Sequence, residues 1–249
     1  MMQQAIQEGS IPQECFAKKH SHCNHAVLTK QFFCDSSRCL HHPVGLGECD
    51  FGDCYNRAAH PPTSIALQSW GIPKSAIRVL LGTMQTMQYV LKTGFGESVD
   101  SYGGTALGPL TGLGQGSGAS PPAFMALSSL IVNAYRQMGH GARIWSSYTS
   151  RLFNLCAVMY VDDTDLLLWP ESPVTDPETL IHHVQTSTTD YGHLAQASGG
   201  ILKEKKCSVY FLAYKYVRGR ARLMSLRNLP AATTQITEGN MVYPSHIRI

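Results

Sequence analysis

The stretch Leu155–Trp169, LCAVMYVDDTDLLLW, constrains this chain more than any other. Apolar residues run from Leu155 to Val161 and again from Leu166 to Trp169, with Asp162 to Asp165 as a polar interval between them. Two short apolar runs around a polar turn predict a β-hairpin. That turn carries two adjacent carboxylates, Asp162 and Asp163, which repel and raise one another's pKa. A hard divalent cation with oxygen ligands removes the penalty. A water-facing Asp-rich turn is the simpler alternative. The hairpin alone leaves both open.

The rest of the chain predicts helices on either side of that hairpin. Ala26, Val27, Phe33 and Cys34 recur near helical spacing and place a helix over 24–40. Leu46 to Phe51 is a short strand. Pro61-Pro62 opens a helix through Ser69, and Pro73 opens another reaching about Tyr89. A glycine-rich hinge, Gly94 to Gly118, leads to a helix that starts at Pro121-Pro122 and stops at Gly139. After the hairpin, Asp176-Pro177-Glu178 starts a helix that runs to Gly199-Gly200, and Lys203 to Ala213 is a strand. The tail gives two hairpins, turning near Gly219 and at Glu238-Gly239-Asn240. This order predicts an α+β fold: a small antiparallel sheet with helices packed on one face. Residues 1–44 form a helical lead-in, 45–213 the main body and 214–249 the C-terminal hairpins.

Composition excludes some classes. None of the 8 cysteines forms a Cys-x-x-Cys pair, so reduced thiols in an intracellular protein are expected. No signal pattern opens the chain, and no apolar run approaches the length of a membrane span. The cluster His20, His22, Cys23, His25 and the later Cys34, Cys39, His41 and His42 match no zinc-finger or ribbon spacing. A zinc-dependent binding module over 20–42 stays as one rival. Net charge is only +3, but eight Lys and Arg lie between Lys203 and Arg227 with Glu204 as their single acid. That concentration is either a footprint for a polyanion or a solvated basic face.

Four blocks, in order, resemble the reverse transcriptases, in particular those of non-LTR retroelements. They are Asp50-Phe51-Gly52-Asp53-Cys54-Tyr55, Gln115-Gly116-Ser117-Gly118-Ala119-Ser120-Pro121, Tyr160-Val161-Asp162-Asp163, and Gly199-Gly200-Ile201-Leu202 with Lys206 following. The resemblance covers about residues 10 to 215 and implies a polymerase palm carrying out RNA-directed DNA synthesis. The implied partners are an RNA template, a DNA primer and deoxynucleoside triphosphates, with two Mg²⁺ ions, or Mn²⁺ in their place, and no membrane. Asp50 and Asp162 are the implied metal ligands with Asp163 assisting, while Asp53 and Asp165 are read as turn or surface acids outside the site. Tyr55 is the implied sugar gate, Gln115 with Gly116 positions template and nucleotide, and Lys206 is the acid for departing pyrophosphate.

The physical case runs alongside. In-line phosphoryl transfer is served by two metals about 3.5–4 Å apart, and these need carboxylates from neighbouring strands, about 4.8 Å apart. GLGQGSG lacks a preceding strand and a Gly-Lys-Ser/Thr ending, which argues against a nucleotide-binding P-loop. Departures stand beside the matches. Asn56-Arg57 replaces the Asp-Arg usual after Cys-Tyr. The residues before Asp50 show no basic fingers block, and the thumb side is short, so the expectation is a palm cut from a longer polymerase. The second rival is an inactive remnant that keeps the fold and at most binds nucleic acid.

Overall fold

The computed structural model describes residues 2–103, 111–147, 149–172, 177–224, 233–238 and 241–246. Helices α1 (Met2–Gln7) and α2 (Cys23–Cys39) precede strand β1 (Val44–Asp50). Then come α3 (Cys54–Arg57), α4 (His60–Ser69) and α5 (Lys74–Thr86), with proline inside the first turn of α4, where its missing N–H costs no bond. The hairpin β2 (Gln88–Thr93) and β3 (Gly96–Gly103) follows, then α6 (Ser120–Gln137) and a second hairpin of β4 (Ala142–Ser146) and β5 (Arg151–Leu155). Strands β6 (Ala157–Tyr160) and β7 (Asp163–Leu168), helix α7 (Pro177–Ala197) and strand β8 (Ser208–Leu212) complete the centre. Two hairpins end the chain: β9 (Tyr214–Val217) with β10 (Arg220–Leu223), and β11 (Thr233–Glu238) with β12 (Met241–His246).

The central sheet has the order β6-β7-β1-β8, every neighbour antiparallel. Residues Glu14 to Phe16 extend its β6 edge: Met159 N–H donates to Glu14 O at 2.8 Å and Phe16 N–H to Met159 O at 2.9 Å. Glu14 is fully buried there and pairs with Arg136 of α6.

Strand alternation divides the sheet into two faces. Gly45, Gly47 and Cys49 of β1 face α7; a Cβ on Gly45 would sit 2.6 Å from Val184 Cγ2, so glycine allows the helix to lie against the strand. The Tyr191 hydroxyl of α7 donates to Thr164 Oγ1 at 3.1 Å, and Leu166, Leu168, Val184 and Phe124 join this main core. Fully burying each such leucine contributes about 1.5–3 kcal/mol. The opposite face carries Val44, Leu46, Glu48 and Asp50. Its far end is covered by α2, with Phe33 edge-on to Trp169 at 5.6 Å and Leu167 and Val158 in the same smaller core. The α+β expectation holds, with α6 and α7 on one face and α2 added over part of the other.

Three local expectations change. The helix after Pro73 ends at Thr86, whose hydroxyl turns back to Gly82 O at 3.0 Å, because Met87 is extended (ψ 142°). The first part of the expected glycine hinge is instead in the β2–β3 hairpin, which turns at Gly94-Phe95 with Gly96 (φ +124°) opening β3. The remainder of it between 104 and 110 lies outside the described residues, as do Asp176 and the turn at 239–240. The strand expected from Lys203 begins only at Ser208, after a 3₁₀ turn over Glu204–Lys206. The β4–β5 hairpin is an addition that has no counterpart among the expected elements.

Candidate active site

The site begins with the register of β1 and β7. Asp50, the last residue of β1, lies directly opposite Asp163, the first of β7. Tyr160 pairs with Asp163 across the hairpin, so the connection is only Val161 and Asp162. A two-residue hairpin needs positive φ, and Val161 adopts +61° although it is β-branched. The polar interval expected over Asp162–Asp165 is therefore a tighter turn with Asp163 onward already in the ladder. Asp165 is thus no turn acid: it is half-buried within β7 and meets Lys30 of α2 at 2.8 Å. Burial raises its pKa, and the lysine opposes that rise.

A second set of contacts brings the other blocks to this end of the sheet. Gly52 N–H donates to Ile201 O at 2.7 Å and Lys203 N–H to Asp50 O at 3.0 Å, fastening the Gly199-Gly200 segment beside β1. Gly199 has φ +89°, and a Cβ on it would stand 2.4 Å from Arg57 O. The loop before α6 docks on α3: Leu113 N–H donates to Tyr55 O at 2.6 Å, Gly112 N–H to Ala58 O at 3.1 Å, and His60 Nε2 bonds Gly112 O at 2.7 Å. Gly112 (φ +87°) would place a Cβ 2.4 Å from Asn56 O, so only glycine fits.

The result is a cleft of about 220 Å³ lined by Asp50, Asp162, Tyr55, Gln115, Lys203 and Lys206, among others. Tyr55 is half-buried with its ring edge-on to Phe124 at 5.6 Å. Gly116, at φ +92°, is outside that lining, and a Cβ there would meet nothing within 4 Å. Asp163 opens instead onto a neighbouring cavity of about 420 Å³ between the sheet and α2, which shares Asp50 and Lys206. Asp53 is exposed and starts α3 at φ +52°. Sequence reasoning did not place Lys203 in the site; its one signal along the chain is its position three residues before Lys206.

Electrostatics mark the shared charge. Burial raises the Asp163 pKa, and the carboxylates of Asp162, Asp50 and Asp165 add to it. Cys54 is pushed up to about 11, first by burial and then by Asp162. Burial, then Cys54 and Asp162, raises Tyr55. Lys206 Nζ stands 3.1 Å from Asp50 Oδ2, and that bond raises the lysine's pKa.

Carboxylate oxygens are the donors a hard divalent cation takes, so the donor chemistry fits. Among the described residues, however, no three His, Cys, Asp or Glu side chains already form a group that would hold a metal. Lys206 occupies an Asp50 oxygen that a cation would need.

Comparison with known proteins decides the fold. No protein-family model and no curated protein matches the sequence. Solved structures do. Telomerase from Candida tropicalis in complex with a fragment of telomeric RNA matches with TM-score 0.54 at 12% identity, over 84% of this chain and 32% of that one. The apo C. tropicalis enzyme truncated from its C-terminal domain matches at 0.54 and 12%, over 97% and 42%. C. albicans telomerase with its RNA fragment matches at 0.54 and 12%, over 98% and 37%. The chain shares its fold with these telomerase chains over the matched parts. The chain spans about a third to two fifths of these solved chains. Within such a fold, the four sequence blocks converge on the loop end of the sheet. Among the described residues, no helix is long and apolar enough to cross a membrane.

Proposed function

We propose that this chain is the palm of an RNA-directed DNA polymerase of non-LTR retroelement type, adding deoxynucleotides to a primer 3′-hydroxyl on an RNA template. The observation that carries the reading is the Asp50–Asp163 register with Asp162 in the two-residue turn, facing Tyr55 and Gln115 across one cleft. Asp50 and Asp162 would hold two Mg²⁺ ions with Asp163 assisting; when bound, the ions stabilise the attacking and leaving oxygens of an in-line displacement. Tyr55 closes the cleft beneath the sugar and excludes a 2′-hydroxyl. Gln115 orients the nucleotide against the template, and Lys206, once freed from Asp50, delivers a proton to the departing pyrophosphate.

A specific observation favours a second reading. The Lys206–Asp50 pair neutralises a ligand the chemistry requires, which suits an inactive remnant that keeps the fold and binds nucleic acid. The outer face of the β9–β10 hairpin supports nucleic-acid binding under either reading. Lys215 lies opposite Arg222 and Val217 opposite Arg220, with Arg218 at the turn, all exposed. Like charges directly opposed across strands cost stability, and a phosphate backbone relieves that cost.

Primer extension by the 249-residue chain with Mg²⁺, deoxynucleotides and an RNA template separates the two. The polymerase reading expects incorporation that Asp162→Asn lowers at least a hundredfold, about 3 kcal/mol of transition-state stabilisation. Equal incorporation by both proteins sinks it. No incorporation together with salt-sensitive RNA binding establishes the remnant.

A further inference from the structure

We propose that Lys203 is a phosphate-binding residue of the cleft and grips the triphosphate of an incoming nucleotide; this rests on the polymerase reading above. The backbone around it is fixed on both sides, by Lys203 N–H to Asp50 O at 3.0 Å, by the Phe51–Leu202 bridge, and by Gly52 N–H to Ile201 O. Its side chain lies across Gly52: a Cβ at that position would meet Lys203 Cε at 3.0 Å and Cγ at 3.2 Å. Glycine thus makes the bed for the lysine stem and directs it along the wall of the cleft that holds Asp50 and Asp162.

The ammonium has a weak partner. Asp53 Oδ1 is 4.0 Å away, and the two side chains are 40% and 60% exposed, so the pair contributes little and exchanges readily. The other lysine of the cleft, Lys206, is held by Asp50. The cleft is therefore lined by carboxylates and by a pre-positioned, loosely paired cation. That combination suits a polyanion carrying divalent cations. A volume of about 220 Å³ falls below the roughly 300–1,000 Å³ of pockets that enclose whole drug-sized ligands. Lysine binds phosphate as a point charge, so its effect grows with the number of phosphates.

Equilibrium binding of fluorescent deoxyguanosine mono- and triphosphates, with Ca²⁺ to prevent turnover, tests this. Wild type prefers the triphosphate. Lys203→Gln loses about tenfold of triphosphate affinity, about 1.4 kcal/mol, and keeps its monophosphate affinity within about twofold. Lys203→Arg retains the preference. Gly52→Ala, which keeps the lysine but displaces the far end of its flexible stem, shows the same selective loss as Lys203→Gln. If Lys203→Gln weakens both ligands alike, or neither, Lys203 does not grip the triphosphate while the nucleotide site stands. If wild type binds neither nucleotide, the polymerase reading itself falls and takes this assignment with it.

Discussion

Lys206 sets its ammonium 3.1 Å from Oδ2 of Asp50, although the two residues stand 156 positions apart. A cation bound at Asp50 has to displace that ammonium. Lys206→Met is therefore expected to bind Mn²⁺ several-fold more tightly in an electron paramagnetic resonance titration, while primer extension falls. A raised lysine pKa keeps its contribution intact below the unfolded value of 10.5 and loses it only as pH climbs through the higher folded value. Unchanged or weaker Mn²⁺ binding excludes the competition.

Asp163 carries the opposite cost. Its folded pKa is raised by burial and by Asp162 and Asp50, so ionisation at neutral pH works against the fold. The favourable contribution exists below the unfolded carboxylate pKa and disappears as pH rises through the folded one. Asp163→Asn is expected to stabilise the metal-free chain at pH 7, by at most about 0.5 kcal/mol for so exposed a group. Thermal melts at pH 7 and pH 3 check it: the gain is confined to pH 7.

Removing the Tyr55 ring empties the part of the cleft next to Phe124 and Gln115. Tyr55→Ala is expected to raise ribonucleotide incorporation relative to deoxynucleotide by about tenfold or more. Competition assays with matched ribo- and deoxynucleotides read the ratio. An unchanged ratio removes the sugar-gate role and returns Tyr55 to plain core packing.

The β9–β10 hairpin predicts how RNA affinity depends on salt. Each phosphate that a lysine or arginine neutralises steepens the fall of log K with log salt by about 0.7–0.9. Replacing Arg220 and Arg222 with Gln is expected to flatten that slope by about 1.5 and to weaken all RNA sequences alike. Filter binding across salt concentrations measures this, and an unaltered slope rules out that face.

Gly112→Ala combines an unfavourable positive φ with a Cβ 2.4 Å from Asn56 O. The strain is expected to cost about 2–4 kcal/mol and to release the loop that carries Gln115. Denaturant unfolding gives the first quantity. Loss of nucleotide affinity beyond that of Gln115→Ala reports the second.

Much of this architecture was legible along the chain. Apolar spacing with proline starts and glycine stops located α2, α4, α6 and α7 within a few residues, because those signals act within one turn of helix. Two short apolar runs around a polar turn located the β6–β7 hairpin, and the strand expected over Leu46 to Phe51 is β1, Val44–Asp50. The β2–β3 hairpin escaped because its strands are almost wholly exposed and show no buried period. The β4–β5 hairpin, by contrast, does alternate buried and exposed positions over Ala142–Ser146, a short signal masked by the stronger apolar run that follows it.

The sequence by itself determined which groups are available: three aspartates in two separated blocks, a tyrosine five places after Asp50, glycines where chains cross, and a basic tail. Only the tertiary structure decided which of them meet. The register between β1 and β7 sets Asp163 opposite Asp50, and a one-residue slip in it would change that partner; the two-residue turn between β6 and β7 leaves Asp162 in the loop. The same folding put Lys206 on Asp50 and Lys203 across Gly52. Those contacts join residues roughly 150 positions apart, and local physics along the chain, which reaches only a turn or two, carries no information about such distances.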